Sequence, residues 1–198
     1  MPATTFSGVL GCGLVCLAVF AVALRLEARA ARVRYAVMLA AAVLVFVPLG
    51  DLSVAGYVRG ATGDLSVSTL ALAASACIFR VTGGNVAPRR DPNALLWLVA
   101  AAALFLYPFA LGWTPFDPYA LGYGSIGFAT VLLLVTLAAW RARVELVVFV
   151  VLAAVVAYLA GVYESRNLWD YLIDPMIALY ALVRLAANGV EKYALRRR

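Results

Sequence analysis

Long apolar runs separated by short polar segments make up nearly the whole chain. Seven runs lie at about 5–24, 34–51, 65–79, 92–113, 118–140, 146–163 and 168–187. Each approaches the length of about 20 apolar residues that a helix needs to cross a bilayer. Backbone groups in lipid must be satisfied internally, and the runs lack the alternation typical of a membrane barrel strand. The pattern predicts an all-α bundle of about seven transmembrane helices, a single integral membrane domain over 1–198.

Composition indicates the same class of protein. Apolar residues make up 66% and charged residues 13% of the 198 positions, against globular averages of about 45–50% and about 25%. So few charged side chains would leave the surface of a soluble domain of this length uncovered. Histidine is absent, which excludes imidazole-bound zinc or haem and Ser-His triads. We therefore expect no metal and no cofactor.

Basic residues lie in alternate loops of this seven-helix arrangement. Arg59 and Arg166 fall on one side, and the other 14 of the 16 Lys and Arg residues fall on the opposite side. Because Lys and Arg in short loops stay cytoplasmic, this distribution predicts an extracytoplasmic N-terminus, a cytoplasmic C-terminus and a place in the bacterial inner membrane. A six-span arrangement with the last helix on the membrane surface is the alternative. The basic clusters do not form a nucleic-acid-binding stripe.

Several aspartates stand where helices are expected to begin. At Asp91-Pro92 and Asp117-Pro118 the pair predicts a helix start, with the carboxylate capping the helix in contact with water and proline at the first helical position. Asp64, before the third run, is expected to cap in the same way. The sequence Gly-Asp-Leu-Ser-Val occurs at both 50–54 and 63–67, which predicts a turn and a helix cap at each place.

Asp174-Pro175 is expected to differ, because a helix that began there would place Arg184 near the bilayer centre. We expect the last helix to begin at Leu168. Asp174 then lies about 9 Å below the outer helix end, stacked on Asp170 one turn earlier. An ionisable residue at that depth indicates a functional site, since lipid offers it no compensation.

The predicted binding residues lie on the extracytoplasmic side, around the last helix. They are Asp174, Asp170, Arg166, Arg59 and Asp51. Two arginines could hold a phosphate or carboxylate, whereas the surplus of carboxylates could attract a cation. Spacing alone does not decide between these ligands. A structural ion pair of Asp174 with one of the two arginines is the alternative to a binding role.

Three functions remain open at this point. The first is binding or translocation of a small solute or a lipid headgroup by the extracytoplasmic polar residues. The second is a non-catalytic subunit of a larger membrane complex. The third is an enzyme acting on a lipid-linked or phospholipid substrate, against which stands the lack of a recognisable reactive motif.

The expected partners follow from the same features. Membrane lipids are expected in every case, and no nucleic acid. Gly124, Gly127 and Thr130 form a small-residue face that would let another helix approach closely, so a homo- or hetero-oligomer is a further possibility.

Overall fold

The computed structural model describes residues 3–84, 90–112 and 115–196. Within these ranges the chain is all-α, as the sequence predicts, apart from a two-residue hairpin formed by β1 (Pro48–Leu49) and β2 (Leu52–Ser53). The α-helices of these ranges are α1 (Ala3–Ala23), α2 (Ala31–Phe46), α3 (Val54–Thr62), α4 (Val67–Thr82), α5 (Arg90–Ala110), α6 (Ile126–Arg141), α7 (Glu145–Leu159), α8 (Leu168–Leu172) and α9 (Pro175–Arg196).

Two of the described helices are long and apolar enough to cross a membrane, over Thr5–Ala23 and Asp91–Ala110. Three further apolar helices, α4, α6 and α7, are shorter. Large apolar side chains stay uncovered on them: Ile126 is 84% exposed and Leu159 is 76% exposed. Soluble monomers rarely expose extended apolar surfaces, so these surfaces favour a membrane location.

Contacts between distant helices define one end of the bundle, which we call the Asp174 end. Ser7 Oγ in the first turns of α1 donates to Val162 O, just beyond the end of α7, at 2.8 Å. Asp174, before α9, accepts from the backbone amide of Ser66, before α4, at 2.8 Å. The starts of α1, α4 and α9 therefore lie together with the end of α7.

The opposite end, which we call the Asp91 end, holds the starts of α5 and α7. Asp91 is fully buried and accepts from the amide of Leu146 in the first turn of α7 at 3.3 Å. Glu27, after α1, forms an ion pair with Arg80 in the last turn of α4. The prediction that Asp91 is a cap in contact with water is wrong, because α5 and α7 begin side by side and the carboxylate is covered between them.

The apolar core lies between α5, α7 and α9. Leu95 of α5, Val150 of α7 and Ala181 of α9 are all buried and belong to one apolar cluster. A smaller cluster joins α1 to α4 through Ala18 and Cys77. Small side chains at this second contact allow the two helices to pack closely.

Two of the predicted spans are not continuous helices. The run at 168–187 is divided into α8 and α9, because Pro175 lacks a backbone N–H and restricts the residue before it, and Ile173 is extended (φ −145°, ψ 142°). The run at 118–140 is divided into a 3₁₀ turn at Tyr119–Gly122 and α6, which Ser125 caps. The prediction that Asp174 lies inside a helix is therefore wrong, since α9 begins immediately after it.

The repeated Gly-Asp-Leu-Ser-Val segment begins a helix at both places, as predicted. Ser53 Oγ accepts from the amide of Gly56 in α3, and Ser66 Oγ accepts from the amide of Thr69 in α4. Serine, not aspartate, is thus the cap, and the predicted capping role of Asp64 is wrong. The predicted helix start at Asp117-Pro118 is wrong, because α6 begins at Ile126 and Pro118 precedes only a short 3₁₀ helix. Asp117 Oδ1 accepts from the amide of Tyr119 at 2.9 Å in this turn.

Candidate functional site

A polar cavity of about 370 Å³ lies at the Asp174 end, between α5 and the α8–α9 segment. Its polar lining consists of three carboxylates and two phenols, from Asp64, Asp170, Asp174, Tyr107 and Tyr119. The remaining lining is apolar and includes the extended residue between α8 and α9. The break in the helix thus forms part of the cavity wall.

Asp174 is buried at this wall, and both its carboxylate oxygens are engaged. Oδ1 accepts from the amides of Met176 and Ile177 at 2.9 Å each, which caps α9. Oδ2 accepts from the amide and the hydroxyl of Ser66 at 2.8 Å each, and from the hydroxyl of Thr69. Two helix N-termini, each with a partial positive charge, therefore meet at one carboxylate. These bonds offset the cost of burying the charge and join α4 to α9.

Asp170, on α8, is only partly engaged. Its Oδ2 accepts from Tyr119 Oη at 2.9 Å and from Ser165 Oγ at 2.5 Å. In the part of the chain that the structure describes, no donor contacts its Oδ1. Burial, followed by the bond to Asp170, raises the pKa of Tyr119 well above the usual value for a phenol. Tyr119 therefore stays protonated and fixes the Asp170 carboxylate in place at neutral pH.

Arg59, on α3, neutralises the third carboxylate of the cavity. Its Nε donates to Asp64 Oδ1 at 2.7 Å and its Nη2 donates to Oδ2 at 3.3 Å. A second ion pair, at 3.6 Å, joins the same Nη2 to Glu164. The hydrogen bond with Asp64 raises the pKa of Arg59. A Cβ at Gly8 of α1 would lie 2.0 Å from Asp64 Oδ1, so glycine allows α1 to pack against this pair.

The structure brings together part of the predicted set of binding residues. Asp170 and Asp174 line the cavity, and Arg59 borders it through its pair with Asp64. Arg166 is exposed in the loop between α7 and α8, and Asp51 is exposed in the turn between β1 and β2. Neither of these two lines the cavity. Their roles in binding stay predictions.

The ion pair considered for Asp174 is not the contact that the structure has. Asp174 bonds to hydroxyls and backbone amides, while Arg59 is held by Asp64 and Glu164. A serine hydroxyl and a helix N-terminus, not the arginine of that alternative, are thus the partners of the buried charge.

The two tyrosines of the cavity, and the serine and threonine that bind Asp174, are not among the site residues predicted from the sequence. Ser66 carries a local signal, since serine immediately before an apolar helical run is a preferred N-cap, whereas Thr69 carries none. Tyr107 and Tyr119 carry no signal beyond the preference of tyrosine for membrane interfaces. Their place in the cavity depends on contacts between helices far apart in sequence.

A second, apolar cavity of about 530 Å³ adjoins the polar one, and Ile173 lines both. We call it the apolar slot. It extends along α5 from Phe105 to Leu95 and along α6 from Ser125 to Val135, which corresponds to about 15 Å of each helix. Its upper end, at Phe105, lies toward the Asp174 end, and its lower end, at Leu95, lies one helical turn from Asp91.

The slot is chemically suited to hydrocarbon. The two serines that line it are already engaged, because Ser68 donates to Leu172 O and Ser125 accepts from the amide of Phe128. Water would find few partners there. The lining therefore suits an apolar molecule better than water.

Comparison with protein-family models, with curated proteins and with solved structures finds no match to this chain. The two cavities and the residues that line them are therefore the features that indicate a function.

Proposed function

We propose that this chain is a multi-pass protein of the bacterial inner membrane that binds or translocates a small solute or a lipid headgroup in the polar cavity. The observation that carries the proposal is a polar cavity of about 370 Å³ with a broken helix in its wall. Discontinuous helices recur at the binding sites of membrane proteins, because helix ends and unwound backbone can face a ligand there.

The charge of the cavity favours a ligand that carries a cation. Arg59 neutralises Asp64, so Asp170 and Asp174 leave the lining negative. The rings of Tyr107 and Tyr119 suit an ammonium group, which is attracted to aromatic faces. An anion held by arginines, the other option that the sequence leaves open, is disfavoured because no arginine is among the described lining residues.

The proposed topology has seven crossings, made by α1, α2, α4, α5, α6, α7 and the α8–α9 segment. Its support is the asymmetry of charge between the two ends of the bundle. Arg80 lies at the Asp91 end, as do the polar connections after α1 and α6, whereas Arg59 and Arg166 are the basic residues assigned to the Asp174 end. With the positive side cytoplasmic, the polar cavity faces the extracytoplasmic side.

A reporter fusion tests this topology. Alkaline phosphatase, which is active only outside the cytoplasm, is expected to give no signal when fused after Arg198 and a strong signal when fused after Gly161, between α7 and α8. An active fusion after Arg198 would contradict the orientation and the extracytoplasmic position of the cavity.

Binding is tested with ethanolammonium and, as an anionic control, acetate. The purified chain in detergent is expected to gain thermal stability with ethanolammonium in a saturable manner and to gain none with acetate. Asp170→Asn is expected to remove most of this gain, because it removes the negative charge from the open side of the cavity. Asp117→Asn, an exposed aspartate outside the cavity, is the matched control. Equal responses in both variants would reject the cavity as the binding site.

A second candidate function, a subunit of a larger membrane complex, is favoured by the surface of α6. Gly127 and Thr130 are exposed on this helix, beside the equally exposed Gly124 that precedes it, and a Cβ added at Gly124 would meet open space. Such small residues allow close approach of a helix from another chain. Crosslinking at this face in membranes would separate this candidate from a monomeric binding protein.

A further inference from the structure

The apolar slot and the polar cavity share the lining residue Ile173, and one is apolar where the other carries carboxylates, as the two parts of an amphiphile require. We propose that the ligand is a membrane lipid whose ammonium headgroup lies in the polar cavity and whose hydrocarbon chain fills the apolar slot. This inference rests on the proposed function and names the chemical class of its ligand.

The two cavities share one lining residue and follow one another in the order that a lipid requires. Ile173 lines both of them, and neighbouring residues on the same elements divide between them: Phe105 and Trp169 line the slot, while Leu106 and Asp170 line the polar cavity. A molecule that lies across Ile173 would place a polar group against Asp170 and an apolar chain below Trp169.

The slot is about as long as one leaflet of a bilayer is thick. It covers about 15 Å of α5, from Phe105, five residues before the end of the helix, to Leu95, one turn after Asp91. The hydrocarbon core of a bilayer is about 30 Å thick, so the slot has about half that length and lies around the middle of the bundle. Val131 of α6 lines the slot and is 53% exposed, which opens the slot sideways toward the surrounding lipid. A chain could enter from the bilayer without crossing water.

Charge complementarity selects the headgroup. Asp170 and Asp174 would repel an anionic headgroup such as that of phosphatidylglycerol, whereas the terminal ammonium of phosphatidylethanolamine would meet the open oxygen of Asp170. The rings of Tyr107 and Tyr119 add a favourable surface for this cation. A free ethanolammonium ion would use the same polar groups but would leave the slot unfilled.

Native mass spectrometry of the purified chain tests the proposal. The chain is incubated with phosphatidylethanolamine or phosphatidylglycerol of identical acyl chains, and the bound lipid is identified and quantified from the mass of the complex. We expect about tenfold greater retention of phosphatidylethanolamine. Ala102→Phe fills the slot and is expected to lower this retention about tenfold, while Ala40→Phe, on the exposed surface of α2, should leave it unchanged.

A second pair of variants avoids substitution in the packed interior. Val131→Trp covers the sideways opening of the slot, and Leu137→Trp places the same residue elsewhere on the exposed surface of α6. Loss of retention in the first variant alone supports the proposal. If both slot variants, Ala102→Phe and Val131→Trp, retain phosphatidylethanolamine like the unmodified chain, the lipid inference is overturned. The proposed function is then still decided separately, by whether Asp170→Asn removes the thermal stabilisation by ethanolammonium. If Asp170→Asn changes neither the lipid preference nor the ethanolammonium response, both proposals fail.

Discussion

The same dipeptide, Asp-Pro, stands at the two ends of the bundle and has a different role at each. Asp174 lies at a break in the chain, caps α9 with one oxygen and binds the start of α4 with the other. Asp91 lies in the first turn of α5 and binds the start of the neighbouring α7 through the amide of Leu146. Both carboxylates are buried, yet of the two only Asp174 is among the described lining residues of the polar cavity.

The difference shows that a local motif specifies where a helix begins but not which groups bind its carboxylate. Proline after aspartate determines where a helix is able to begin, because proline suits the first helical position and disfavours the helical conformation of the residue before it. The partners of the carboxylate depend on which other helix begins nearby. At both ends the partner is the N-terminus of another helix, whose partial positive charge stabilises the aspartate.

The largest expected effect is the loss of the carboxylate at Asp174. Asp174→Ala is expected to lower the free energy of unfolding by about 3–5 kcal/mol, because it leaves the buried donors of Ser66 and Thr69 and two amides of α9 without their acceptor. Asp174→Asn should have a smaller effect, since the amide oxygen can still cap α9. Equilibrium unfolding in mixed micelles measures both.

Asp117→Ala is the control for this prediction, because Asp117 is exposed and its Oδ1 bonds a single amide. Its cost is expected to be about 1 kcal/mol or less. Equal costs for Asp174→Ala and Asp117→Ala would mean that the contacts of Asp174 contribute no more than an ordinary helix cap.

A smaller effect is expected at the opposite end. Asp91→Ala should lower the free energy of unfolding by about 1–3 kcal/mol, because the amide of Leu146 is left in the bundle without its buried acceptor. Thermal stabilisation by ethanolammonium should be unchanged in this variant, since Asp91 lies at the far end from the polar cavity. A loss of that response with the fold intact would contradict the separation of the two ends and show that they are coupled.

Much of the fold is visible in the sequence, because hydropathy alone determines where helices can lie. The run at 5–24 corresponds to α1, and the run at 146–163 corresponds to α7 with its following turn. The interruption before α6 is not visible in the hydropathy pattern, since apolar residues continue across it. The Asp174-Pro175 pair does indicate the start of α9, but the sequence argues against that start because it places Arg184 nine residues inside the helix. Ser125 and Pro175 interrupt these helices through hydrogen bonds and backbone restriction that a hydropathy pattern does not record.

Less of the candidate site could be predicted. Asp170 and Asp174 stand out because carboxylates are rare in apolar runs. Their partners do not stand out, since Ser66 is 108 residues from Asp174 and Tyr119 is 51 residues from Asp170. The arginines were expected to share the site because they lie on the same side of the membrane. Sidedness places a residue at one end of a bundle but does not determine which cavity it lines.

The smallest expected effect is a difference in the pH response of the two ends. At the Asp91 end, the hydrogen bond from Arg80 lowers the pKa of Glu27. Because the folded-state pKa lies below the unfolded one, the stabilisation is present above the unfolded value of about 4.3 and is lost as the pH falls through the folded-state pKa. The pair is partly exposed to solvent, so the loss should be small and weaker at high salt.

At the Asp174 end the sign is reversed. Burial and the bond to Asp170 raise the pKa of Tyr119, so its stabilisation is present below the unfolded value of about 10 and is lost as the pH rises through the folded-state pKa. Unfolding followed against pH should therefore show a smaller acid loss in Glu27→Gln and a smaller alkaline loss in Tyr119→Phe. Glu27→Gln should leave the alkaline loss unchanged and Tyr119→Phe should leave the acid loss unchanged, because the two groups lie at opposite ends of the bundle. A change in the same part of the pH profile, acid or alkaline, in both variants would contradict this separation.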